Sequence, residues 1–364
     1  MHLSEIETPA VVVDVDVMER NLSRMADYCR DKNLDLRPHT KTHKIPELAR
    51  LQLASGACGI TVAKLGEAEV MRDAGITDML IAYPLIGVGK PERLARLACR
   101  ANITVALDSE EVARGISHEL SSRQTSVGVL IEIDVGFRRC GVATADEVLN
   151  LAQRVRELPG LDFKGVMFFP GHFQRTEQER AALLPDVNGL LRDSLSRLER
   201  AGIPARTVSG GSTPTAREGH LFYGVNEIRP GMYIFNDRNM VGIGIADIED
   251  CALSVIATVV STSVSGRAVI DGGSKTFSND RHHGYNELGF GIVREDPNAE
   301  LEVLSEEHGH LNIKQSAHHY RVGERLTIIP NHVCSTINMH DQIYGVSGQR
   351  VEAIWSVRGR GKIR

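Results

Sequence analysis

One rhythm limits what this chain can fold into. Between about residues 34 and 235, short β-branched runs alternate with amphipathic stretches eight times, the runs falling at 34–41, 59–64, 78–84, 103–108, 126–134, 163–172, 205–210 and 227–235. Helical patterns such as IPELARLQLASG, GEAEVMRDAG, PERLARLACR and ADEVLNLAQRVREL lie between them. Several stop at a glycine (Gly56, Gly75, Gly160, Gly202), the residue expected just past a helix C-terminus. Strands separated by helices pair in parallel, and eight strand–helix units make a (β/α)8 TIM-type barrel. An open doubly wound sheet is the alternative, but no GxGxxG follows the first strand.

After about residue 240 the pattern changes. ALSVIATVVSTSVSGRAVIDGG, HYRVGERLTIIP and QIYGVSGQRVEAIWSV read as strand–turn–strand with no long helix between them, which predicts a second, mainly antiparallel β domain. The opening run AVVVDVDV at 10–17 precedes a helix at 18–33 and is expected to pair into that domain. The expected division is therefore a barrel over 20–240 and a discontinuous β domain over 1–19 plus 241–364.

The chain's 364 residues are enough for two cores. Hydrophobic and charged fractions of 42% and 24% are ordinary for a globular protein. A net charge of −5 supplies no basic field to hold nucleic acid or an anionic membrane, and no apolar run approaches the roughly 18 residues that span a bilayer. The opening MHLSEIETPA lacks a basic segment followed by an apolar one, so a cytoplasmic protein is expected. Six scattered cysteines without a CxxC pair point to reduced thiols. Five of them (Cys29, Cys58, Cys99, Cys140, Cys251) are expected to be small core residues, with Cys334 set apart.

Barrel enzymes carry their chemistry at the C-terminal ends of the strands. The first run ends RPHTKTHK, where alternation puts Arg37, His39 and Lys41 on one face. If that face is the lumen, Lys41 is a buried amine among cations, and both conditions favour an imine-forming lysine; the plainer alternative is a solvated basic strand end. The fifth run leads into DVGFRRCGV with Arg139, the sixth ends at Pro170-Gly171-His172, and the seventh ends SGGSTPT, with Ser212 and Thr213 in a loop able to offer N–H groups to a phosphate. The eighth carries Glu227-Ile228-Arg229-Pro230-Gly231-Met232-Tyr233. In the β domain, NHVCST places His332 and Cys334 two apart, on one face if the segment is a strand. Imidazole and thiolate suit Zn²⁺, while a buried cysteine beside a satisfied histidine is the alternative. Lys275 and Asp280 could form a structural ion pair on a hairpin. His340-Asp341 is either an orienting pair or polar surface.

RPHTKTHK, DVGFRRCGV, PGH, SGGSTPT and EIRPGMYIF, in this order and spacing, resemble the D-threonine aldolase and D-serine dehydratase family of alanine-racemase-like, fold-type III pyridoxal-phosphate enzymes. The likeness runs from Thr8-Pro9 to Arg358-Gly359-Arg360-Gly361. It implies that Lys41 holds pyridoxal 5′-phosphate, that Arg139 approaches the ring or its substituents, and that His172 sits near it. Ser212, Thr213, Gly231 and Met232 are then the phosphate contacts, with Arg37, His39 and Tyr233 as further candidate contacts. Where relatives vary in the aromatic residue before Pro-Gly-His, this chain has Phe169. The resemblance also implies a divalent metal (Zn²⁺, Mn²⁺ or Mg²⁺) on His332 and Cys334, a D-configured β-hydroxy amino acid as the small-molecule substrate, and a homodimer with shared active sites.

Two reactions are implied: retro-aldol cleavage of D-threonine to glycine and acetaldehyde, with His172 or a water on the metal as base, and dehydration to an oxo acid and ammonia, with Lys41 as base. The closing NHVCSTINMHDQIYGV and VRGRGKIR look closest to low-specificity D-threonine aldolases, so cleavage is expected. A non-catalytic cofactor carrier would be barrel-only, and a racemase needs two opposed bases and no metal.

Overall fold

The computed structural model describes residues 1–281 and 289–364. Its contacts divide the chain into two units, one of Met1–Ser23, Thr42–Ile45 and Met232–Arg360, the other of Arg24–Lys41, Pro46–Gly231 and Gly361–Arg364. Against the expected boundaries, 20–23, 42–45 and 232–240 fall with the β unit, and 361–364 with the barrel. The closing residues go there because the Arg364 carbonyl accepts from Gly66 N–H at 2.9 Å and from Arg93 at 3.3 Å.

Among the described residues, the second unit holds an eight-stranded parallel sheet. Its order is Asp35–Leu36, Glu227–Ile228, Thr207–Gly210, Leu161–Phe168, Val127–Ile133, Asn102–Leu107, Asp78–Ile81 and Ile60–Val62. The two end strands meet through a parallel bridge between His39 and Thr61, supported by Thr61 N–H to the Pro38 carbonyl at 2.8 Å. The sheet therefore closes on itself, as the eightfold rhythm requires. The four helix-ending glycines all have positive φ.

Strand alternation sorts the barrel's side chains. Ile60, Val62, Met79, Ile81, Val105, Leu107, Val129, Ile131, Val166, Phe168 and Val208 join the large core cluster with helix residues such as Leu94, Ile116, Val148 and Leu191. The intervening positions face the barrel interior. There Leu80, Ala106, Leu130 and Met167 form a small separate apolar layer.

In the first unit, the described residues form a nine-stranded sheet. Six antiparallel strands close a ring: Leu253–Ser261, Arg267–Ile270, Gly309–Asn312, Glu300–Leu304, Gly291–Val293 and Arg325–Pro330. The opening strand Ala10–Asp14 joins antiparallel to Leu253–Ser261 and parallel to Gln342–Ser347, as its early position predicts. Arg350–Ser356 completes the edge.

All six cysteines are free thiols. Cys29 and Cys251 are buried, but Cys58 and Cys99 are exposed and Cys140 is half-buried, so those three are not core residues. Cys99 caps the helix Lys90–Ala98, and Cys58 and Cys140 lie in loops. No helix among the described residues is long and apolar enough to cross a membrane.

Candidate active site

The interior of the barrel unit carries a continuous polar chain. Arg37 donates to Glu227 at 2.6 Å and to Asp78. Ser209 donates to the other Glu227 oxygen at 2.5 Å, and Arg229 donates to Ser209 at 2.6 Å and to the Phe168 carbonyl at 2.8 Å. Burial works against the charge on Arg37, but Glu227, Cys58 and Asp78 together outweigh it and raise the pKa. Arg229 is more deeply enclosed, and burial pulls its pKa down to about 10 despite Glu227 and Glu132. Alternation in Glu227-Ile228-Arg229 is the signal that could have marked this pair as inward-facing; neither residue was among the expected contacts.

Arg37 and His39 do share the inward face. Lys41 does not continue it, because the chain leaves the sheet at His39 and Thr40–Thr42 form a 3-10 turn. The lysine is exposed, not a buried amine. Arg37 is correspondingly committed to Glu227 and Asp78 as a strut of the barrel. His39 accepts from the Lys41 N–H through Nδ1 at 3.4 Å. Burial, then the charges of Lys41, Arg229 and Arg139, push its pKa well below the usual imidazole value, so the ring is neutral.

Phe169, just past the strand Leu161–Phe168, gathers the other groups. The Arg139 guanidinium lies 4.4 Å from its ring centroid and Lys41 Nζ lies 5.8 Å from it. Phe137 meets it edge-on at 5.4 Å. Arg139 is placed by the turn 134–142, where Asp134 accepts from Gly136 and Arg138 N–H, each at 2.9 Å. Gly141 closes that turn at φ +113°, and a Cβ there would come within 2.4 Å of the Asp134 nitrogen, so only glycine fits. The buried Glu132 approaches Arg139 at 3.6 Å.

His172 sits in the 3-10 turn Gly171–Phe173 with its ring edge-on to Phe173 at 4.9 Å. Its Nδ1 is buried with no hydrogen-bond partner among the described residues. Burial and then Arg175 lower its pKa. Ser212 caps the 3-10 helix Thr213–Leu221 together with Thr215, and the Thr213 hydroxyl accepts from Gly231 N–H at 3.2 Å. The loops carrying Ser212, Thr213 and Gly231 are thus tied to one another. Met232 and Tyr233 start the turn Met232–Ile234 of the other unit, Tyr233 being buried.

In that unit, His332 and Cys334 are brought together, though not on a strand. His332 precedes the short helix Val333–Asn338. Side-chain hydrogen bonds fix this segment: Asn331 to the Asp280 and Gly289 carbonyls at 3.0 and 2.9 Å, Ser335 to Asp280, and Thr336 to the Phe277 carbonyl at 3.1 Å. The Cys334 thiol contacts the Thr42 hydroxyl at 3.4 Å, and Thr42 follows Lys41 in the chain. His332 loses proton affinity to burial, but Cys334 and Asp237, each hydrogen-bonded to it, more than restore it. Asp237, remote in sequence, carries no spacing signal and was missed. His340 contacts the Thr276 carbonyl at 3.1 Å and Asp341 pairs with Arg360. Lys275 pairs with Glu306 and Glu307 at 2.9 and 2.8 Å, not with Asp280.

These groups fit the inferred cofactors. An exposed amine, the guanidinium of Arg139, a hydroxyl-bearing loop and an unpartnered buried imidazole nitrogen suit an anionic heteroaromatic aldehyde. An imidazole and a thiol beside a carboxylate are ligand types that suit a borderline-soft divalent cation. No cluster of three or more potential ligands occurs among the described residues.

A lysine-bearing (β/α)8 barrel with a separate antiparallel β unit defines the alanine-racemase-like class, and the family models agree. Residues 13–239 match the N-terminal domain of alanine racemase and residues 252–346 match a serine dehydratase domain. The chain is 33% identical to a D-threonine aldolase from an Arthrobacter species, over 99% of this chain and 94% of that protein. It is 35% identical to D-threo-3-hydroxyaspartate dehydratase from Delftia sp. strain HT23, over 92% of each. The structure of D-threonine aldolase from Filomicrobium marinum superposes with a TM-score of 0.94 at 35% identity, covering 100% of this chain and 98% of that one. The chain belongs to this fold-type III, pyridoxal-phosphate-dependent family and is a lyase of D-β-hydroxy amino acids.

Proposed function

We propose that the protein cleaves D-threonine and related D-β-hydroxy amino acids to glycine and an aldehyde, using pyridoxal 5′-phosphate and a divalent metal. The observation that carries the choice of cleavage is the likeness to D-threonine aldolase, at a TM-score of 0.94 over the whole chain. The Delftia dehydratase superposes at 0.89, and its 35% identity over most of the chain favours elimination as the second reading.

When bound, the cofactor supplies an electron sink and the metal supplies a Lewis acid. Lys41 is the residue that would hold the cofactor, since the residue is exposed and its Nζ lies 5.8 Å from the Phe169 ring centroid. Arg139, on the same ring, would bind a negatively charged substituent. Ser212, Thr213 and Gly231 would hold the phosphate. His39 stays neutral and keeps the Lys41 backbone in its turn. His172, also neutral and with an unpartnered Nδ1, is the base that would take the β-hydroxyl proton. Phe169 offers an apolar face without a hydroxyl, so it shields that exchange from water and takes no proton itself.

His332 and Cys334 would hold the metal. Support comes from the Delftia dehydratase, of which one solved variant has a histidine replaced by alanine. Another has alanine in place of the cysteine two residues further on and is in a metal-free form. The spacing is that of His332 and Cys334. A homodimer with shared sites follows by family analogy. Assaying glycine and ammonia after incubation with D-threonine separates the two readings.

A further inference from the structure

Asp237 lies 95 positions before His332, yet the two are in contact. Its side chain is fully buried, and its two oxygens do different work. Oδ1 accepts from Met240 N–H at 3.1 Å and caps the helix Arg238–Gly242. Oδ2 takes no part in that cap. It accepts from Val333 N–H at 3.2 Å and meets His332 Nδ1 at 3.2 Å. One oxygen thus grips both the imidazole and the peptide that follows it.

From this geometry we infer that Asp237 is a positioning residue for metal binding, fixing the His332 ring so that Nε2 faces the metal. The inference rests on the metal site proposed above. A carboxylate oxygen is an acceptor only, so the Nδ1 it meets must carry the hydrogen. The lone pair for coordination is then on Nε2. Turning the ring over about Cβ–Cγ would put Cδ2 where Nδ1 now meets Asp237 and lose that hydrogen bond. The carboxylate also makes the imidazole a stronger donor toward a cation, as outer carboxylates do for metal-bound histidines. With the Cys334 thiolate it gives the site two negative charges, enough to offset a divalent ion without a third protein ligand. The cap on Met240 alone would explain an Asp or Asn here, but it does not explain why the second oxygen is given to His332 and Val333.

The test compares Zn²⁺ affinity, by competition with a chromophoric chelator, across the intact holoenzyme, His332→Ala, Asp237→Asn and Asp237→Ala, with a melting curve for each. Asp237→Asn keeps the size and a capping oxygen but loses the charge. A fall in Zn²⁺ affinity of about 10–100-fold in Asp237→Asn, with the protein still folded, is the expected result. Unchanged affinity in a folded Asp237→Asn would overturn the inference while leaving the metal site intact. Equal Zn²⁺ binding by His332→Ala and the parent protein would remove the metal site itself, and the inference with it. A second measurement needs no variant: in ¹⁵N-histidine-labelled protein loaded with ¹¹³Cd²⁺, the His332 nitrogen coupled to the metal must be Nε2, with Nδ1 still protonated. Coupling to Nδ1 would contradict the assignment.

Discussion

Arg37 and Glu227 meet at 2.6 Å inside the barrel, their side chains 16% and 6% exposed. They join the first and last strands of the barrel, which pair directly through Asp35–Glu227 and Leu36–Ile228. Glu227 also holds Ser209, and through it Arg229. Removing a buried partner leaves an uncompensated charge, which costs roughly 3–5 kcal/mol. Glu227→Ala is therefore expected to lower denaturant stability by about that amount, with Arg37 and Arg229 both left facing a void. A loss below about 0.5 kcal/mol, the size of an ordinary surface change, would show that the chain of contacts is not part of the barrel's support.

Lys41→Ala is expected to abolish the visible absorbance of the lysine-bound cofactor, with a melting temperature close to that of the cofactor-free parent, because the side chain is exposed. Lys44 is occupied with Asn338 at 2.9 Å. Retained absorbance in Lys41→Ala together with its loss in Lys44→Ala would reverse that assignment.

Around Lys41 the alternation expected from the sequence and the observed backbone part company. Alternation along Arg37-Pro38-His39 does direct Arg37 and His39 inward, but it holds only while the chain stays in the sheet. Barrel strands are short, and Thr40–Thr42 turns out of register. The same limit applies to 227–235, where Pro230-Gly231 ends the pairing after Ile228. At His332 the β-branched segment suggested a strand, whereas contacts from Asp237, Asp280 and Phe277, all distant in sequence, hold it as a helix start. The eightfold rhythm and the opening strand's place in the β unit were legible because each depends on local periodicity. Partnerships such as Asp237 with His332 are set by tertiary packing and leave no local trace.

His172 gives a pH signature. Burial and Arg175 lower its pKa, so the neutral form persists below the ordinary imidazole value of about 6.5. If it is the base, kcat/KM rises with pH through a midpoint below that value and is level above it. Arg175→Ala should move the midpoint upward, toward the ordinary value, since a neighbouring cation is lost. His172→Asn should reduce kcat by about 10²–10⁴-fold. An unchanged acidic limb in Arg175→Ala and near-full activity in His172→Asn would assign the proton to another group.

Chelation is expected to abolish turnover while the cofactor absorbance remains, because the residues assigned to metal and to phosphate are different ones. His332→Ala and Cys334→Ala should each reproduce the chelated state, with activity restored to the chelated parent by added Zn²⁺, Mn²⁺ or Mg²⁺ but not to either variant. Full activity with unchanged metal content in either variant would make the pair structural.

The central claim is carbon–carbon cleavage, and product analysis with D-threonine measures it directly. Both candidate reactions use the same cofactor linkage, so absorbance alone cannot separate them, whereas their products share no component. The account predicts glycine and acetaldehyde in equal amounts, with little ammonia, and no turnover of L-threonine. Ammonia and 2-oxobutanoate as the main products would contradict it and make the protein a dehydratase.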